Sequence, residues 1–138
     1  MKKHYHSKST SETEAIAAEI ARSCGKGSVL ALHGNLGAGK TVFARGFARA
    51  LGITEHVSSP TFTIVQEYRF GGGIFFHLDL YRIDNPDAAL AFGIDEFLYA
   101  EDGISLIEWP ERIDGLFPPH TIHVEIVADD KPDERKIS

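Results

Sequence analysis

The sequence predicts a single α/β domain whose sheet contains both parallel and antiparallel strands and is covered by helices on both faces. Helical and strand-like hydrophobic patterns alternate along the chain, which is typical of layered α/β domains. The length of 138 residues and the hydrophobic share of 43% fit one compact domain. We therefore treat residues 1–138 as one domain, with peripheral or flexible tails expected at about residues 1–9 and 129–138.

The first predicted helix covers about residues 11–23. Ser9 and Ser11 are each followed three residues later by a glutamate, which is the pattern of a capping box at a helix N-terminus. Ile16 and Ile20 then recur at a spacing of four, with alanines beside them, so one face of the helix is apolar. We expect an amphipathic helix that packs on the sheet.

A buried strand and a second helix flank a glycine-rich loop. Residues 28–33 are apolar without alternation, as expected for a strand that is covered on both faces. After the loop, Phe43, Phe47 and Leu51 repeat every four residues until Gly52 ends the pattern. The predicted order is therefore strand, glycine loop, helix.

The middle of the chain predicts a β-hairpin. Residues 61–70 and 74–80 are rich in β-branched and aromatic residues, and three glycines at 71–73 separate them. We expect these two strands to pair antiparallel.

Three further segments complete the predicted sheet and its helices. Residues 86–99 carry mixed helical signals, and residues 104–109 read as another buried strand. In residues 121–127 isoleucine and valine alternate with polar residues, which indicates a strand with one exposed face. We expect this last strand at the periphery of the sheet.

The glycine loop matches a phosphate-binding motif. Residues 34–41 fit G-x-x-x-x-G-K-[ST] at every fixed position and lie between a predicted strand and a predicted helix, which is the context that the motif requires. Backbone N–H groups of such a loop and the helix N-terminus attract phosphate, and the lysine adds a positive charge. The alternative is a glycine-rich turn whose lysine faces solvent. The motif favours a P-loop NTPase-like domain that binds ATP or ADP through Asn35, Leu36, Gly37, Ala38, Gly39, Lys40, Thr41 and Val42.

A second anchor for the nucleotide's cation is expected at the end of an apolar strand adjacent to the first strand. Residues 74–79 have this pattern and end in Asp79, which would hold Mg²⁺ directly or through water. Alternatively, Asp79 only caps a turn at the strand end. His77 shares a face with Asp79, and a structural role in the core is as consistent with the sequence as a role in the site.

Two more segments are candidates for the site. Residues 58–63, with two serines, a proline and Thr61, have the character of a switch segment that approaches a γ-phosphate, although such turns are common. Glu108 and Trp109 follow a buried strand, where ligands of open α/β sheets bind. Glu108 would orient the attacking water or contact the metal, and Trp109 either lies near the nucleotide or fills the edge of the core.

Composition restricts the remaining possibilities. The net charge of −6 argues against a surface that binds nucleic acid broadly by charge alone. Residues 1–78 carry nine Lys or Arg and five Asp or Glu, whereas residues 79–138 carry five and fifteen, so an anion is drawn to the first half. The single cysteine, Cys24, and the lack of an apolar segment of signal-peptide or membrane-spanning length favour a soluble cytoplasmic protein.

Four segments together resemble the TsaE family. They are HGNLGAGKT at residues 33–41, SPTFT at 59–63, HLDLYR at 77–82 and IEWPE at 107–111. Their order and spacing agree with that family over about residues 11–127. The resemblance is therefore much more specific than the phosphate-binding motif alone.

The resemblance implies roles for individual residues. Residues 59–63 would act as a first switch, and Glu108 with Trp109 would form a second switch near the nucleotide. The implied catalytic residues are Lys40, Thr61, Asp79 and Glu108. The implied Mg²⁺ ligands are Thr41, Asp79 and Glu108.

The resemblance also implies an activity and partners. TsaE proteins are bacterial P-loop ATPases needed for making threonylcarbamoyladenosine in tRNA. ATP hydrolysis is expected to be slow in the isolated protein and coupled to a complex of TsaD and TsaB, which performs the carbamoyl transfer. Contact with tRNA is then expected only through that complex, and no contact with a membrane is expected.

Two other functions fit a phosphate-binding loop. A nucleotide-dependent binding module would use ATP only to order residues 58–63 and so change its affinity for a partner. A small-molecule kinase normally needs extra segments that cover an acceptor and exclude water, and the length of 138 residues argues against it. Phosphate release or phosphate transfer would distinguish these functions.

Overall fold

The computed structural model describes residues 3–34, 39–55, 57, 64–128 and 135–137. The strands in this part of the chain are β1 (Tyr5–Ser7), β2 (Val29–His33), β3 (Val65–Phe70), β4 (Gly73–Asp79), β5 (Gly103–Glu108), β6 (Ile122–Ala128) and β7 (Arg135–Ile137). The helices are α1 (Thr10–Arg22), α2 (Lys40–Ala50), α3 (Pro86–Phe92) and α4 (Ile94–Leu98), and a 3-10 helix spans Pro110–Ile113. None of the described helices is long and apolar enough to cross a bilayer.

The strands form one mixed sheet in the order β1-β7-β6-β2-β5-β4-β3. Strand β2 pairs parallel with both β5 and β6, and β4 pairs parallel with β5. The other pairs are antiparallel, including the predicted hairpin of β3 and β4. Because β2, β4, β5 and β6 run in one direction, their carboxyl ends meet at a single edge of the sheet.

Helices cover both faces of this sheet, which confirms the predicted fold class. One core joins α1 and α2 to the sheet through residues such as Phe43, Phe47 and Phe75. The other core lies under α3, α4 and the 3-10 helix and includes Leu78, Ile94 and Leu98. The first helix begins where its capping box predicts, because the side chain of N-cap Ser9 accepts a hydrogen bond from the Glu12 N–H at 3.1 Å.

The structure corrects two expectations about the sheet and adds two short strands to it. Strand β6 is not peripheral, because it lies between β2 and β7. The segments expected as tails contribute strands β1 and β7, and within them Ser7 and Ile137 are fully buried. The strand adjacent to β2 is β5, which ends in Glu108, and β4, which ends in Asp79, lies one position farther away.

Candidate functional site

The centre of the candidate site is Lys40, the first residue of α2. Gly39 precedes it with φ of 102°, a left-handed conformation that glycine adopts without steric cost. Lys40 is only 6% exposed, and its Nζ atom has no hydrogen-bond partner among the described residues. A buried ammonium without hydrogen bonds is costly, so this position is suited to an anionic ligand.

Glu108 faces Lys40 from the end of the adjacent strand. Its Oε1 atom lies 3.9 Å from Lys40 Nζ, and its Oε2 atom is 2.5 Å from Nε2 of His77. Both Glu108 and His77 are buried, at 3% and 0% exposure. The His77 contact holds one oxygen of the carboxylate in place, and the other oxygen is directed toward Lys40.

The ring of Trp109 packs against the lysine head group. The centre of the indole ring lies 4.1 Å from Lys40 Nζ, which is within the range of a cation–π interaction. Trp109 adopts φ of 60° and ψ of 49°, a left-handed conformation that is rare for a bulky residue and is found most often at functional sites. The Tyr81 ring packs on Trp109 with centroids 4.9 Å apart, so an aromatic pair borders the site.

Asp79 ends β4 and is the register neighbour of Glu108. Its Oδ1 atom accepts a hydrogen bond from the Tyr81 N–H at 3.0 Å, which is the turn-capping contact that the sequence left open as an alternative. Asp79 is also close enough to act electrostatically on Lys40. The structure therefore places both carboxylates, Asp79 and Glu108, at the edge of the sheet where α2 begins.

Burial dominates the electrostatics of the lysine. Desolvation lowers the pKa of Lys40, because burial disfavours the charged ammonium. The negative charges of Glu108, Asp79 and Glu111, in that order, oppose this shift and favour the charged form. A phosphate group bound at Lys40 would, like these carboxylates, favour the charged ammonium and so raise the pKa of Lys40.

The residues present are compatible with Mg²⁺. This cation usually keeps several waters and takes only one or two protein carboxylates together with phosphate oxygens. Glu108 keeps one oxygen that is not bonded to His77, Asp79 stands beside it in the sheet, and Thr41 follows Lys40 in the first turn of α2. In the described part of the chain there is no group of three or more His, Cys, Asp or Glu side chains that would hold a metal without such additional ligands.

The structure brings some of the predicted residues together, and others lie outside the described part. Glu108 and Trp109 lie against the Lys40 head group, and Asp79 is the register neighbour of Glu108. Thr41 and Val42 follow Lys40 in α2. The predicted nucleotide contacts Asn35, Leu36, Gly37 and Ala38 lie outside the described residues, as does the switch segment 58–63 with Thr61.

Besides the contacts of Glu108 with Lys40 and His77, two contacts around the site were not predicted from the sequence. The first is the packing of Tyr81 on Trp109, for which the only signal was the position of Tyr81 two residues after Asp79. The second joins His33, at the end of β2, to Glu111 of the 3-10 helix, with His33 Nδ1 and Glu111 Oε2 3.8 Å apart. Both depend on how separate strand ends meet, which local sequence patterns do not contain.

Comparisons with known proteins all identify the same family. The family model described as "Threonylcarbamoyl adenosine biosynthesis protein TsaE" matches residues 7–137. A protein of Bacillus subtilis named "tRNA threonylcarbamoyladenosine biosynthesis protein TsaE" is 42% identical over 92% of this chain and 78% of its own length. A protein of the same name from Aquifex aeolicus is 42% identical over 75% of this chain and 74% of its own length.

A solved structure also resembles the whole fold. The crystal structure of YdiB from Bacillus subtilis superposes with a TM-score of 0.83 and 37% sequence identity. The match covers 98% of this chain and 82% of the YdiB chain. The two chains therefore share their fold over nearly all of the sequence considered.

Proposed function

The chain belongs to the TsaE family of tRNA threonylcarbamoyladenosine biosynthesis proteins, and on that premise we propose that it is the Mg²⁺-dependent ATPase of this pathway. In this proposal it binds ATP and hydrolyses it to ADP slowly when alone and faster with a complex of TsaD and TsaB. Contact with tRNA is made through that complex, and the site of action is the cytoplasm, where tRNA is modified.

The proposal rests on the buried ammonium group of Lys40. Its ammonium is buried at the N-terminus of α2 and has no hydrogen-bond partner among the described residues. The β- and γ-phosphates of ATP would supply acceptors for this donor, and the N-terminus of α2 would add its own N–H groups and the positive end of its dipole. The aromatic ring of Trp109 limits access of water from one side.

The carboxylates of Asp79 and Glu108 support the proposed dependence on Mg²⁺. Thr41, Asp79 and Glu108 would hold Mg²⁺ between the protein and the phosphates. When bound, the cation supplies charge stabilisation for the phosphate oxygens during transfer. No covalent intermediate with the protein is needed, because positioning and charge stabilisation account for most of the catalysis of phosphoryl transfer.

His77 gives Glu108 a defined orientation. Its ring stacks on Phe75, with centroids 6.2 Å apart, and its Nε2 atom holds Glu108 Oε2. The other oxygen of Glu108, which faces Lys40, would accept a hydrogen bond from the attacking water or contact the metal. Both roles use the same oxygen, so they predict the same loss when Glu108 is changed.

Phosphate release is the direct test. The purified chain is incubated with ATP and Mg²⁺, alone and with TsaD and TsaB, and inorganic phosphate is measured. We expect slow release by the chain alone and faster release with both partners. Background release under all conditions would favour a nucleotide-dependent binding module, and phosphate transfer to an added metabolite would favour a kinase.

A lysine variant connects this activity to the site. Lys40→Ala removes the charge beside the phosphates, and we expect it to abolish measurable ATP binding. Lys26→Ala is the matched control, because Lys26 is an exposed lysine at the opposite end of β2. Fluorescence of Trp109, the only tryptophan, reports binding because its ring lies against Lys40. Equal ATP affinity in the Lys40 and Lys26 variants would contradict the proposed site.

A further inference from the structure

The surface of residues 84–102, called here the acidic face, combines exposed apolar side chains with six exposed carboxylates. It comprises α3, α4 and the turns on either side of them. Leu90, Phe92 and Tyr99 are 46%, 40% and 61% exposed. Tyr81 and Val127 are the other large hydrophobic residues exposed in the described part of the chain, so three of the five belong to residues 84–102.

Aromatic packing gives this face a fixed shape. The Phe92 ring stacks on Phe97 with centroids 6.0 Å apart, and Phe97 packs edge to face on Phe76 at 5.1 Å. Phe76 belongs to the core beneath α3 and α4. Phe92 is therefore held against the core and still exposed, which is the property of an aromatic anchor in a protein interface.

Every charged residue of the acidic face is a carboxylate. Its six acidic side chains are all exposed, and no lysine or arginine occurs between residues 83 and 111. The six are Asp84, Asp87, Asp95, Glu96, Glu101 and Asp102. The ion pairs found among the described residues involve other carboxylates, namely those of Glu14, Glu108 and Glu111.

We propose that the acidic face is a docking surface for a positively charged surface of the TsaD and TsaB complex. The identity of the partner rests on the proposed function, whereas the face and its chemistry rest on the residues above. Exposed apolar anchors surrounded by charge are typical of protein interfaces, and complementary charge guides association. A nucleic acid does not fit here, because the carboxylates would repel its phosphates.

The acidic face also lies next to the nucleotide site. Helix α3 contacts the 3-10 helix Pro110–Ile113, which begins directly after Trp109. Trp109 in turn covers Lys40. A partner bound to α3 and α4 would therefore be in position to respond to a change at Trp109 when nucleotide binds or leaves.

Charge reversal on the acidic face tests the proposal. Glu96→Lys with Glu101→Lys changes the charge of the face, and Glu19→Lys with Glu55→Lys makes the same change at exposed carboxylates elsewhere. Affinity for the purified TsaD and TsaB complex is measured by titration in the presence of ATP, at low and high salt. We expect the acidic-face variant to bind at least about tenfold more weakly and with less salt dependence, and the control variant to stay within about twofold.

Replacing exposed apolar side chains by serine provides a second measurement. Leu90→Ser with Tyr99→Ser removes two exposed anchors, and Val127→Ser removes an exposed apolar side chain from β6. We expect only the first variant to weaken binding by about tenfold. Circular dichroism of every variant checks that the fold is unchanged.

The outcomes separate this proposal from the proposed function. If the unchanged chain binds the complex and both acidic-face variants bind equally well, the acidic face is not the docking surface, and the proposed function stands. If the unchanged chain does not bind the complex at all, the proposed function and the docking proposal both fail. If the variants instead change the oligomeric state of the chain, the acidic face is a contact with a second copy, which contradicts the proposal.

Discussion

The two faces of the sheet are built differently. On one face, α1 and α2 are 13 and 11 residues long and cover a core that includes the stacked rings of Phe43, Phe47 and Phe75. On the other face, α3 and α4 have only 7 and 5 residues and leave apolar side chains exposed. The first face carries the candidate nucleotide site, because α2 begins with Lys40 and the side chains of His77 and Glu108 lie on this side.

Under the two proposals above, this difference would let one small sheet serve two purposes. Long helices give the first face the rigidity and burial that a site with preorganised charges requires. Short helices give the second face less burial, so more of its side chains remain available for a partner. Substitutions on each face and a change of pH test this contrast.

Removing a buried aromatic side chain of the first face should cost far more stability than removing an exposed side chain of the second face. Phe47 is fully buried between Phe43 and Phe75, so Phe47→Ala leaves a cavity and should lower the free energy of unfolding by about 3–5 kcal/mol. Leu90→Ala on the second face should change it by no more than about 0.5 kcal/mol. Urea denaturation measures both values. Similar losses for the two variants would mean that the faces contribute equally to stability.

Neutralising Glu108, the buried carboxylate beside Lys40, should strongly reduce phosphate release. Glu108→Gln keeps the shape of the side chain but removes the charge that faces Lys40, and we expect partner-stimulated phosphate release to fall about 100-fold. Glu67→Gln, at an exposed carboxylate of β3, should stay within about twofold. The rates of phosphate release by the two variants are compared at saturating ATP. Equal rates for the two variants would remove Glu108 from the chemistry.

The close approach of α1 and α2 should be sensitive to one added methyl group. A Cβ atom at Gly46 would lie 2.5 Å from the backbone oxygen of Glu14, so the helices must separate to accept alanine. We expect Gly46→Ala to cost about 1–3 kcal/mol. At Gly25 no atom lies within 4 Å of such a Cβ atom, so Gly25→Ala is the control and should be nearly neutral. Thermal unfolding that is unchanged in both variants would show that the helices are not tightly packed.

The smallest expected effect concerns pH. His33 ends β2, and its Nε2 atom is 3.1 Å from Nδ1 of His123. Burial, and then the charge of His123, lower the pKa of His33, while Glu111, Glu125 and Asp114 oppose the shift. The folded state therefore binds a proton less readily than the unfolded state.

It follows that His33 makes the folded state lose stability in acid. The free energy of unfolding should fall as the pH drops below about 6.5, toward the lower pKa of the folded state. Urea denaturation between about pH 7.5 and pH 5.5 measures this slope. The slope should be shallower in His33→Gln, whereas the exposed His4→Gln control should retain it. A slope that is the same in both variants would assign the acid sensitivity to other groups.

Local sequence patterns were sufficient for the types and approximate bounds of the main elements. The capping box at Ser9, the apolar run before residue 34 and the four-residue repeat of Phe43 and Phe47 each describe neighbouring residues, whose periodicity and capping act within a few positions. The same is true of the phosphate-binding motif, since it requires only a strand, a loop and a helix in order. These features predicted Lys40 at the start of a helix.

Only the tertiary structure decided which strands are neighbours. It placed β5 rather than β4 beside β2, brought His77 onto Glu108, and added β1 and β7 to the sheet from segments expected to be tails. Strand order depends on pairing between segments that are far apart along the chain, and such pairing is determined by packing over the whole domain. The residue types of the site were therefore readable from the sequence, whereas the contacts of Glu108 with Lys40 and His77 required the folded chain.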